Sequence, residues 1–106
     1  MSQKPSVGRI VHYRLSEQDA VAINRRRAAD TRSAAWPVGA QAHVGNSVGA
    51  GEVVPLIVVR VWPDEYGPGV PGINGQAILD GNDALWVLSA KEGADLGTWA
   101  WPPRVE

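Results

Sequence analysis

Three consecutive guanidiniums, Arg25-Arg26-Arg27, are the sharpest concentration of charge in this 106-residue chain. Near a helix C-terminus they are favoured by the helix dipole, and their paired donors match a phosphate. The same triplet fits a solvated helix end or a contact with a partner's acidic surface. Five tryptophans, at 36, 62, 86, 99 and 101, stand against two tyrosines and no phenylalanine. Most are expected to fill a core, but an indole face also stacks on a base or an arginine. Trp36, in a long loop before Pro37, is the first candidate for such a platform, and Trp62 at a strand end is the second. His43 lies in a Gly-rich stretch with Asn46, which suits a ligand contact. His12 shares a strand face with Arg14 and reads as structural. Neither histidine has metal-ligand spacing to a second ligand.

Asp80-Gly81-Asn82-Asp83 lacks the remainder of a calcium loop and reads as a tight turn, with the Asn82 amide placed to read a base. Gly45-Asn-Ser-Val-Gly-Ala-Gly51 lacks the Lys-Ser/Thr ending and the following helix of a P-loop, although its amides can form an anion nest. No Ser/His/Asp constellation is present. The candidate ligand-binding set is therefore Arg25, Arg26, Arg27, Trp36, His43, Asn46 and Asn82. No catalytic residue, metal ligand or cofactor is expected, and the chain reads as a binding protein rather than an enzyme.

Those residues need a scaffold, and composition bounds it. The length suits one domain, residues 1–106, with one modest core. Twelve glycines and eight prolines favour a turn-rich β domain. There is no cysteine, hence no disulfide or zinc-thiolate site. No apolar run approaches the ~20 residues of a membrane span. Met1–Pro5 is followed by no hydrophobic stretch of the kind a secretion signal carries, so a cytoplasmic location is expected. The net charge is −1, but residues 1–60 carry eight basic against four acidic side chains, and residues 61–106 two against seven. Such asymmetry can give a basic face or head-to-tail contacts between copies; it can also vanish if the two halves interleave.

The pattern predicts a first strand at Val7–Leu15, with Ile10, His12 and Arg14 on one face and Val11, Tyr13 and Leu15 on the other. Ser16 and Asp19 stand at capping-box spacing, so a helix should run from about Glu17 to Ala29. Residues 30–52 read as an irregular segment. Val53–Trp62 is the strongest strand, with Ile57, Val59 and Val61 expected inward and Pro55 at an edge or bulge. Pro63–Ile73 reads as a long flexible turn. Further strands are expected at Gly75–Leu79, Leu85–Ala90 and Thr98–Trp101. About five strands with a helical insertion after the first predict a mainly β, SH3-like small barrel; an α+β roll is the alternative.

Gly8-Arg-Ile-Val-His-Tyr13, Ile23-Asn-Arg-Arg-Arg27, Gly45-Asn46, Leu79-Asp-Gly-Asn-Asp83 with Trp86, and Gly97-Thr-Trp-Ala-Trp-Pro-Pro-Arg104 together resemble a family of short proteins encoded by tailed bacteriophages and prophages. The resemblance covers nearly the whole chain. It implies a phage origin and no particular activity, and Ala100 stands where it implies a histidine. In size and apparent origin the chain also resembles the non-enzymatic sponges by which phages sequester cyclic nucleotide or cyclic ADP-ribose immune signals (anti-CBASS and anti-Thoeris proteins). Such a sponge needs guanidiniums, aromatics and pockets between subunits. That reading expects a cyclic nucleotide ligand, a homo-oligomer and the cytoplasm of an infected bacterial host. The competing reading is a virion or assembly accessory protein acting as a protein-interaction module. Nucleic acid is a poor candidate partner, because the net charge of −1 gives no broad basic surface.

Overall fold

The computed structural model describes residues 3–27 and 44–104. Trp36 and His43 lie outside the described residues. Five strands form one antiparallel sheet: β1 (Ile10–Arg14), β2 (Val53–Trp62), β3 (Gly72–Ile78), β4 (Ala84–Lys91) and β5 (Trp99–Ala100), with helix α1 (Glu17–Arg27) inserted after β1. The order across the sheet is β4-β3-β2-β1-β5. The sheet curls into a half-barrel, and a bridge between Glu92 and Trp99 brings its two edges together at one end. The architecture is the expected small, mainly β barrel with a helical insertion.

The core fills the inside of the curl. Val11, Tyr13 and Leu15 enter it from β1 and the residue that follows, Leu56 and Val58 from β2, Ile73 and Ala77 from β3, Val87 and Ala90 from β4. Trp99 is fully buried and meets Trp101 edge-on, at 5.5 Å between ring centroids. The inward face of β2 differs from expectation. Ile57 and Val59 point out, 38% and 46% exposed, while Leu56 and Val58 are buried. Both faces of this strand are aliphatic, so alternation alone cannot choose between them. The register with β1 chooses: Val11 pairs with Leu56 and Ile10 with Ile57. Directly opposed residues share a face, so an inward Val11 carries Leu56 inward with it. A register shift between Val58 and Arg60 then flips the parity, and Val61 packs against the core as expected.

Pro55 pairs with His12 on β1, and β3 pairing begins only at Leu56, so Pro55 leaves no ladder hydrogen bond unmade on the β3 side. The segment after β2 is shorter and better tied than a flexible turn through Ile73. β3 begins at Gly72, the Tyr66 amide donates to the Val70 carbonyl at 3.0 Å, and Asp64 Oδ1 accepts from the Gly69 amide at 2.8 Å.

Candidate functional site

Helix α1 starts on a full capping box. The Asp19 amide donates to Ser16 Oγ at 3.1 Å, and the Ser16 amide donates to Asp19 Oδ2 at 2.9 Å. The Tyr13 hydroxyl donates to the same Asp19 oxygen at 2.6 Å. Burial and the neighbouring Asp19 carboxylate push the Tyr13 phenol well above its ordinary pKa, so it stays a donor. The helix is thus fixed to β1 at its first turn, and Arg25, Arg26 and Arg27 occupy its last.

Two of the three arginines are already paired. Arg26 Nε and Arg27 Nη1 both donate to Asp83 Oδ2, at 2.9 and 3.0 Å. Burial alone would raise the Asp83 pKa, but hydrogen bonds from Arg27, Arg26 and the Ala84 amide outweigh it and hold the carboxyl below its ordinary value. Arg27 and Asp83 side chains are 7% and 5% exposed, which makes this a buried ion pair.

The segment beginning at Val44 packs onto the same turn. Asn46 Nδ2 donates to Asp80 Oδ2 at 2.7 Å, and Arg27 Nε reaches the Asn46 carbonyl at 3.4 Å. Asn82 Oδ1 accepts from the Val44 amide at 2.7 Å, while the Asn82 amide donates to the Val44 carbonyl at 3.0 Å. Gly45 bridges to Gly81. A Cβ on Gly81 would stand 2.1 Å from the Val44 carbonyl oxygen, and its φ of +131° favours glycine in any case.

Arg26, Arg27, Asn46 and Asn82, dispersed in sequence, therefore converge on the Asp80–Asp83 turn. Arg25 does not join them; it is exposed beside Glu17, Gln18 and Val21 on the other side of the helix. Chemically the cluster is a latch that joins helix end, loop and hairpin. Two carboxylates, Asp80 and Asp83, sit among the guanidiniums, so a phosphate would have to displace Asp83. The Asn82 amide oxygen that could read a base holds Val44. Among the described residues no group of three His, Cys, Asp or Glu side chains is placed to hold a metal. No helix there is long and apolar enough to cross a membrane.

A second surface was not singled out by sequence. Ile10, Ile57, Val59, Ile78, Trp86 and Leu88 are all exposed on the outside of the curl. The pairings Ile10–Ile57, Ile57–Gln76 and Gln76–Trp86 set three of these residues, with the polar Gln76 between Ile57 and Trp86, in one row across four strands. Ile78 and Val59 flank the row, and Leu88 follows Trp86 along β4. The signal was present in the aliphatic character of both faces of β2. His12 lies on this side as well, directly opposite Ala100, so a histidine at position 100 would stand beside it. No protein-family model matches the chain, and no curated protein or solved structure matches it either.

Proposed function

We propose that this chain is a non-enzymatic interaction module that self-associates through the outer face of its sheet. One observation carries the reading: the apolar surface of Ile10, Ile57, Val59, Ile78, Trp86 and Leu88, which surrounds the single polar side chain of Gln76. Its area is on the order of 500 Å², the size at which apolar patches on monomers are usually functional. Its centre holds no charged side chain, and Trp86 supplies an indole of the kind that anchors interfaces. Sheets pack well face to face, and a pair related by a two-fold axis is the commonest closed assembly. In the phage setting that the sequence resembles, such a module suits an assembly accessory protein.

Sedimentation over a micromolar-to-millimolar concentration series tests this. Wild type should associate, and Ile57→Lys and Trp86→Lys should each be monomeric while keeping the wild-type circular dichroism spectrum. A wild-type protein that stays monomeric throughout the series refutes it.

A second reading, sequestration of a cyclic nucleotide or cyclic ADP-ribose signal, is favoured by the convergence of Arg26, Arg27, Asn46 and Asn82. It has less support, because Asp83 and Asp80 already engage Arg26, Arg27 and Asn46. Incubation with cyclic di- and trinucleotides and cyclic ADP-ribose isomers, followed by heat release, decides it. Ligand that disappears and returns intact supports sequestration; no depletion removes it.

A further inference from the structure

Asn74 is the one polar side chain in the core of the described residues, 8% exposed. It stands where two irregularities meet: the shift between Val58 and Arg60 on β2, and the shift between Ile73 and Gly75 in the pairing of β3 with β4. Bulges of this kind re-aim side chains beside functional clefts. Asn74 Oδ1 accepts two bonds, from Trp62 Nε1 at 3.3 Å and from the Ser89 amide at 2.8 Å. Its acceptor capacity is filled, while Nδ2, with two donors, has no partner among the described residues.

The residue on the far side is unusual too. Ser89 has φ +52°, in the left-handed region, although it is not glycine. Two side chains fix it there: Asn74 takes its N–H, and the Tyr66 hydroxyl donates to its carbonyl. Backbone held in a sparsely populated region by side chains is a mark of ligand clamps.

Asn74 and Ser89 line a cleft of about 590 Å³ with Trp62, Asp64, Glu65 and Leu88. The Trp62 ring is anchored at Nε1, and the Arg60 guanidinium lies over it, 4.6 Å from the centroid. Asp64 spends Oδ1 on the Gly69 amide and keeps Oδ2.

We propose that this cleft binds a neutral saccharide. The lining disfavours a simple anion and a simple cation. An anionic ligand meets the Asp64 and Glu65 carboxylates. An ammonium or guanidinium has donors only and leaves Asn74 Nδ2 unmet. A hydroxyl both accepts and donates: it takes a bond from Nδ2 and gives one to Glu65, Asp64 or Ser89 Oγ. The apolar C–H face of a sugar ring packs on Trp62 and Leu88.

The probes are the methyl glycosides of glucose, galactose, mannose and N-acetylglucosamine, with the same sugars as immobilised oligosaccharides. Choline and inorganic phosphate are the cationic and anionic controls. Binding is read from shifts of the Asn74 side-chain amide and Trp62 indole resonances, and from retention on the immobilised sugars. At least one saccharide should saturate these shifts or be retained. Binding of a methyl glycoside indicates a single ring as the ligand, and retention only on the oligosaccharides indicates a polymer.

Glu65→Ala and Ser89→Gly should each weaken binding at least tenfold. Both keep the fold accessible, since Glu65 is exposed and glycine accepts the φ of residue 89. Trp86→Lys, the self-association variant, should bind as wild type, so the two readings fail separately. The proposal is overturned if no saccharide shifts Asn74 or is retained, if choline or phosphate alone binds, or if Glu65→Ala and Ser89→Gly bind like wild type.

Discussion

Removing the Asp83 carboxylate tests whether the arginine triplet is a latch. Among the described residues, Asp83→Ala deletes three charge-assisted or backbone contacts: Arg26 Nε at 2.9 Å, Arg27 Nη1 at 3.0 Å and the Ala84 amide at 2.8 Å. The two arginines respond differently. Arg26, 31% exposed, can turn toward water at little cost. Arg27, 7% exposed, cannot. Among the described residues it keeps only long contacts to the Asn46 and Asp80 carbonyls, at 3.4 and 3.5 Å. An uncompensated buried charge of this kind costs about 3–5 kcal/mol. For a domain whose total stability is about 5–15 kcal/mol that is a large fraction.

Equilibrium urea unfolding followed by tryptophan fluorescence measures the loss. With a slope of about 1–3 kcal/mol per molar urea, the midpoint should fall by roughly 2 M. Exchange of the Val44 amide should accelerate, because the turn that offers it Asn82 Oδ1 is no longer held. Replacing both partners, Asp83→Leu with Arg27→Met, should recover most of the loss, since no buried charge then remains. A single-variant cost below about 1 kcal/mol would refute the buried-charge reasoning and return Arg26 and Arg27 to the pool of free cations.

The same carboxylate sets an acid limit. Its folded pKa is lowered, so its contribution is complete above the ordinary carboxylate value of about 4 and is lost as pH falls through the lowered value. Urea midpoints measured from neutral pH down to the acid range should therefore drop below pH ~4, and Asp83→Asn should flatten part of that drop. Gly81→Ala places a methyl 2.1 Å from the Val44 carbonyl oxygen at a φ of +131°. It should cost at least about 1–3 kcal/mol by thermal or urea unfolding, and a wild-type midpoint would show that the loop can withdraw from the turn freely.

The approximate strand positions and the helix were legible because local rules and tertiary structure agree there. Ser16 and Asp19 announce the helix start, Asp80–Asp83 announces a hairpin, and the alternation in Ile10–Arg14 separates Val11 and Tyr13 from His12. The face of β2 was not legible. Val-Val-Pro-Leu-Ile-Val-Val reads apolar in either phase, and only its pairing with β1 breaks the tie. Of the seven candidate ligand residues, Arg26, Arg27, Asn46 and Asn82 meet in one cluster, already engaged with the protein itself; Arg25 lies apart, and Trp36 and His43 lie outside the described residues. Nothing in Arg25-Arg26-Arg27 says that Asp83, more than fifty residues away, closes on two of them. Asn74 carried no signal, since a lone Asn between Ile73 and Gly75 looks like a turn residue until the strands place it between two register shifts.

The outward aliphatic residues need an explanation that the fold does not provide. Closing the barrel requires Leu56 and Val58 inside; it places no demand on Ile57 and Val59, which touch neither the core nor the latch. A polar residue at either outward position would leave the inner packing unchanged and improve solubility. Single exposed hydrophobics are ordinary, but a row continued by the register from Ile10 through Ile57 to Trp86 is not a scatter. The bulge after Val58 marks where this character ends. Before it the outer surface is mainly apolar. Beyond it Val61 turns inward, Arg60 and Trp62 stack, and Asn74 and Ser89 place polar groups in a mostly apolar cleft. One inserted residue in β2 thus marks the change between two surfaces of different chemistry on a single sheet, which meet at Leu88. Trp86 lies outside the cleft and Glu65 outside the apolar row, so substitutions at these two positions, unlike one at Leu88, should affect self-association and ligand binding independently.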